Sequence, residues 1–137
     1  MRHTTKIEIA NLKDMFLAEA GIIPQEDVRQ LTVEDALVDT GATRLSLPKP
    51  LIDQLGLAPV GNARTMTANG IASRTIYSAV EFTVMERKGN IQVTDLPANA
   101  PVLVGHIILE MLDLCVDIRK GLIYNPAHDN EWIEEQL

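Results

Sequence analysis

Ala36-Leu37-Val38-Asp39-Thr40-Gly41-Ala42-Thr43 is the stretch that decides the fold. A run of strand type delivers an aspartate into a Thr-Gly turn. A carboxylate directly after buried apolar residues is costly to desolvate unless neighbouring groups hold it. Thr40 supplies a hydroxyl, and Gly41 lets other backbone approach closely. A plain strand ending in an Asx-type turn accounts for these three residues equally well, since Asp, Thr and Gly favour such turns anyway. A three-residue motif also matches by chance. The rest of the chain has to separate the two readings.

Outward from this stretch, the pattern is of short strands and tight turns. Upstream, Lys6–Ile9 alternates as a strand, and Asn11–Ala20 reads as a short helix with Asn11 as N-cap and Gly21 just past its end. Pro24–Asp27 is a loop. Arg29–Asp39 is β-rich, with a break in alternation at Glu34-Asp35 that predicts a turn or bulge. Downstream, Leu45–Leu47 resumes a strand, and Pro48-Lys49-Pro50 opens a helix that closes at Gly56. Arg64–Ala68 runs into Asn69-Gly70, a strong hairpin signal. Ile71–Met85 returns as a long strand with Ile76, Ser78, Val80, Phe82 and Val84 inward. Lys88-Gly89-Asn90 reads as a second turn and Ile91–Leu96 as its return strand. After the Pro97–Pro101 loop, Val102-Leu103-Val104 is a short buried strand. Gly105 ends it, and His106–Leu112 has helical spacing. Leu114–Ile118 and Leu122–Tyr124 flank a turn at Arg119-Lys120-Gly121. The acidic tail from Ala127 to Leu137 reads as a terminal helix, with Asp129, Glu131, Glu134 and Glu135 on a solvated face. The fold class expected is all-β, or mainly β with two or three short helices.

Composition bounds the function. The chain has 137 residues, 46% apolar and 23% charged, as expected of one globular domain spanning 1–137. Its formal net charge of −7 argues against a nucleic-acid partner. No apolar run approaches the roughly 18 residues of a membrane span. Neither a leader-like apolar segment nor a possible internal disulfide is present, Cys115 being the single cysteine; a cytoplasmic setting is the expectation. Cys115 lies in an apolar strand and reads as core. His3, His106 and His128 lack ligand spacing, so no metal site is expected. The glycines from Gly61 to Gly70 fit no phosphate-loop pattern. Trp132 could dock on the body of the protein or on a partner.

Three separated segments, taken together, resemble the retropepsin-like aspartic proteases. They are Ala36–Thr43, the Thr67-Ala68-Asn69-Gly70 hairpin, and Pro101-Val102-Leu103-Val104-Gly105 running into a helix. The resemblance covers about residues 29–124; residues 1–28 and 125–137 stand outside it. It implies one acid-protease half-barrel, a single lobe, per chain. Asp39 would be the catalytic aspartate, Thr40 would bond across a two-fold axis, and Gly41 would accept a substrate main-chain bond. Ala42 and Thr43 would line the cleft floor, and Ala68, Asn69, Gly70 and Ile71 would form a flap over the substrate. Leu103, Val104, Gly105 and His106 would support the site from behind.

The sequence departs from the retroviral pattern at two linked positions. Thr43 stands where those enzymes carry an acid, and His106 where they carry the arginine that pairs with it. Removing one partner of a buried pair would strand a charge at about 3–5 kcal/mol, whereas removing both can be close to neutral. A Thr43–His106 hydrogen bond can replace the pair.

Peptide hydrolysis of this kind needs two carboxylates sharing a proton. Asp95, Asp113, Asp117 and Asp129 are not followed by Thr-Gly or Ser-Gly, so one chain carries half a site. The resemblance therefore implies a homodimeric endopeptidase acting on peptides or proteins, with no cofactor. The competing expectation is a non-catalytic dimerisation or peptide-binding module that kept the fold.

Overall fold

The computed structural model describes residues 3–113, 115–117, 122–125 and 131–134, with backbone alone at Thr65, Thr67 and beyond Asp113. In chain order the elements are β1 (Thr4–Asn11), α1 (Leu12–Glu19), β2 (Gln30–Val38), β3 (Leu45–Pro48), α2 (Lys49–Leu55), β4 (Pro59–Thr67) and β5 (Gly70–Val84). These are followed by β6 (Arg87–Leu96), β7 (Leu103–Val104), α3 (His106–Met111), β8 (Cys115–Asp117), β9 (Leu122–Asn125) and β10 (Glu131–Glu134). The protein is mainly β, with short helices, as its turn-rich sequence predicts.

One sheet runs in the order β1-β2-β7-β3-β6-β5-β4, and β1 also pairs with β5. The sheet therefore curls until six strands close on themselves, with β4 left outside as one arm of a hairpin. Closure removes exposed edges and places alternate side chains in a common interior. Ile7, Leu45, Leu47, Val80, Phe82 and Val93 are fully buried there, with Ile52 and Leu55 of α2 and Ile108 of α3 joining the same core.

The N-terminal residues that stood outside the family resemblance are part of this closure. β1 pairs with β2 from Thr4↔Leu37 to Ala10↔Gln30 and with β5 from Glu8↔Thr83 to Asn11↔Val80. The register between β1 and β2 slips where Glu34-Asp35 interrupts the alternation, so the expected bulge is present. Asn11 caps α1 by accepting from the Asp14 amide at 3.1 Å, and Gly21 follows the helix with φ +76. The buried residue of α1 is Asp14. It takes three hydrogen bonds from Arg29, two from the guanidinium at 2.8 and 3.0 Å and one from the backbone amide at 3.0 Å. That pair ties α1 to the start of β2.

Three expectations need correction. The turn after β5 is Met85-Glu86, both with positive φ (52 and 66), not Lys88-Gly89-Asn90. Gly89 sits within β6 opposite Phe82, where an added Cβ would stand 2.6 Å from the ring. Its glycine makes room for a buried aromatic rather than for a bend. Along β5, a bulge between Tyr77 and Val80 shifts the inward phase, so Tyr77 is buried in place of Ile76 and Ser78. Within the acidic tail, Glu131–Glu134 is a strand paired with Leu122–Asn125, not helix. The Arg119–Gly121 turn, His128, Asp129, Glu135 and the rest of that tail lie outside the described residues, as do the side chains of Cys115 and Trp132. No described helix is long and apolar enough to cross a membrane.

Candidate active site

β7 is two residues long, and it sets the geometry of the site. It lies between β2 and β3, parallel to the first and antiparallel to the second. Leu37 pairs with Leu103 and Val38 with Val104 on one side, and Leu45 pairs with Val104 on the other. The segment from Asp39 to Arg44 is thus a loop whose two feet are fixed to one strand. The hydrogen bonds continue past the strand ends. The Asp39 amide donates to Val104 O at 3.0 Å, and the Gly105 amide to Arg44 O at 2.9 Å. The first amides of α3 then donate back into the loop, His106 to Ala42 O at 2.9 Å and Ile107 to Thr43 O at 3.1 Å. Loop carbonyls thereby satisfy helix amides that would otherwise be orphaned.

Gly105 is required by this clamp. A Cβ there would meet Arg44 O at 2.4 Å and the Thr43 carbonyl carbon and oxygen at 2.6 and 2.7 Å. The apolar-apolar-glycine pattern of Leu103-Val104-Gly105 is the sequence trace of backbone passing directly behind the loop.

Within the loop, Asp39 is half-buried and Thr40 and Gly41 are exposed. The Gly41 amide donates to Asp39 Oδ1 at 2.9 Å, and the Ala42 amide to Asp39 O at 3.0 Å. This Asx-type turn fixes the carboxylate while leaving Oδ2 without a bond among the described residues. Thr40 is likewise without a hydrogen-bond partner among them.

The structure brings Asp39, Gly41, Ala42, Thr43 and Leu103 to one groove of about 250 Å³. The hairpin contributes its stem, Ala63, Arg64 and Arg74, to the same groove. Its tip does not: Ala68, Asn69, Gly70 and Ile71 are exposed and stand outside the lining. The tip turn is centred on Ala68-Asn69, and Gly70 opens β5 with φ +112. The expected Thr43–His106 side-chain bond is not formed. The His106 ring turns instead to Glu110 Oε1 at 3.4 Å, and backbone bonds join the two segments.

Several groove residues carry no motif in the sequence. Ser46 and Thr94 share a 2.7 Å hydroxyl bond across the parallel β3–β6 pair. Asp95 accepts from the Thr75 amide at 3.1 Å. Arg44 and Arg74 come from separate segments and line the same groove only in the fold. No group of acidic, histidine or cysteine side chains with metal-binding geometry occurs among the described residues.

An aspartate on a turn clamped by an apolar-glycine strand, beside a hairpin-bordered groove, is the arrangement of an acid-protease lobe. Residues 25–106, more than half of the chain, match the aspartyl protease family, and the chain belongs to it. Among solved structures it is similar to the simian foamy virus (mac) protease, with 20% identity and a TM-score of 0.48 over 80% of this chain and 93% of that one. No curated protein matches.

Proposed function

We propose that the protein is an aspartic endopeptidase whose dyad is formed by Asp39 of two identical chains across a two-fold axis. The observation that carries this reading is the position of Asp39. Its carboxylate is held by the Gly41 amide on a doubly clamped loop, and the residue lines a groove of about 250 Å³.

In the dyad, two carboxylates about 3 Å apart cannot both ionise, a known property of aspartic-protease sites. One Asp39 carboxylate accepts a proton from water as the water oxygen bonds to the peptide carbon. The other, protonated, donates to the carbonyl oxygen. The tetrahedral intermediate then collapses: the C–N bond breaks, the carboxyl that took the water proton gives it to the leaving amine, and the other carboxylate takes a proton from a gem-diol hydroxyl, which restores the singly protonated dyad. Exposed Thr40, with its open hydroxyl, is suited to bond the partner loop. The exposed tip at Ala68–Ile71 is suited to close over a bound peptide as a flap.

The test is digestion of a peptide library across roughly pH 4 to 7 with wild type beside Asp39→Asn. The amide keeps the shape but cannot pass the proton, so cleavage should fall by about a thousandfold or more. A variant that cleaves near the wild-type rate overturns the assignment.

A further inference from the structure

The groove beside Asp39 is lined by two arginines that have no ion-pair partner among the described residues. The chain carries a formal net charge of −7, yet Arg44 and Arg74 both line this one groove; Arg64, paired with Ser73, alternates to the opposite face of the hairpin from Ala63 and Arg74. The other described arginines are occupied: Arg29 is bonded to Asp14, and Arg87 donates to Leu112 O at 2.7 Å. Arg44 and Arg74 form no ion pair or side-chain hydrogen bond among the described residues. Asp95, the other acid in the lining, is engaged with the Thr75 amide.

Two guanidinium groups left without an ion-pair partner on one groove gain one when an anion arrives. A guanidinium also presents a planar fork of donors that fits a carboxylate. Arg44 and Arg74 are both half-buried, so they are placed to hold a carboxylate.

Resting on the protease reading above, we propose that this groove selects peptides with an aspartate or glutamate side chain close to the scissile bond. The carboxylate is bound by Arg44 and Arg74. The apolar lining, Leu96 and Leu103, takes a neighbouring aliphatic side chain.

Binding separates this inference from catalysis. Fluorescein-labelled octapeptide pools, each with Glu, Gln or Lys fixed at one scanned position, are titrated with the full-length Asp39→Asn protein and read by anisotropy. At one position or more, the Glu pool should bind about fivefold more tightly than the Gln pool, the scale of a partly exposed ion pair. Arg74→Gln should bring the Glu-to-Gln affinity ratio close to one, and Arg74→Lys should keep part of it. Equal binding of Glu and Gln pools, no binding of any pool, or a preference that survives Arg44→Gln/Arg74→Gln overturns the inference. Wild-type digestion of the same pools judges the protease reading by itself. Cleavage with no charge preference sinks only the acidic selection. A Glu preference in binding with no wild-type cleavage sinks only the protease.

Discussion

Gly105 is packed so closely behind Thr43 that a Cβ on it would stand 2.6 Å from the Thr43 carbonyl carbon. The contact is backbone against backbone, so no side chain can swing aside to relieve it. The links from Asp39 to Val104 and from His106 to Ala42 flank that close approach on either side.

Gly105→Ala should therefore destabilise the fold by about 3 kcal/mol, the upper end for overpacking. Gly61→Ala, where an added Cβ meets nothing within 4 Å, should change stability by less than about 0.5 kcal/mol. Urea unfolding of both variants checks the contrast, and similar midpoints would show that the clamp tolerates a methyl group.

Glu86→Gly should stabilise the protein. Glu86 is exposed and holds φ +66 in the turn between β5 and β6, a conformation that costs a side-chain-bearing residue about 1 kcal/mol. Thermal melting of the variant should show a higher midpoint. A lower one would mean that backbone entropy gained by the unfolded chain outweighs the relieved strain.

The Asp14–Arg29 pair should make stability depend on pH. Hydrogen bonds from the Arg29 guanidinium hold the Asp14 carboxyl below its ordinary value of 3.8, and burial only partly opposes them. The folded state thus favours the ionised acid. Its contribution is complete above that ordinary value and is lost as pH falls through the depressed folded one. Asp14→Asn should cost about 2 kcal/mol at neutral pH. Denaturant titrations should show the gap to wild type closing below about pH 4. A gap that is constant with pH would mean that shape, not charge, holds α1 in place.

Features set by adjacent residues were legible in the sequence. The Asn11 cap, the Gly21 and Gly56 helix ends and the bulge at Glu34-Asp35 each announce themselves within a few positions. The loop, hairpin and glycine segment were legible through their order. Features set by distant partners were not. Gly89 looks like a turn residue until Phe82 is seen across the strand pair. The inward phase of β5 reverses at a bulge whose cause is its register with β6. Glu131–Glu134 is acidic enough to suggest a solvated helix, and only its pairing with Leu122–Asn125 makes it a strand. Arg44 and Arg74 are far apart in the sequence, so their place on one groove is a property of the fold alone.

The central claim is that two copies of Asp39 make one site. Wild-type protein at fixed concentration, mixed with an equal amount of Asp39→Asn and left to exchange subunits, tests it most directly. Random pairing puts half of the wild-type chains opposite an inactive partner, so peptide cleavage should fall to about half and continue to fall with more variant. A rate unchanged at every ratio, with exchange verified by a tagged subunit, would contradict the shared dyad.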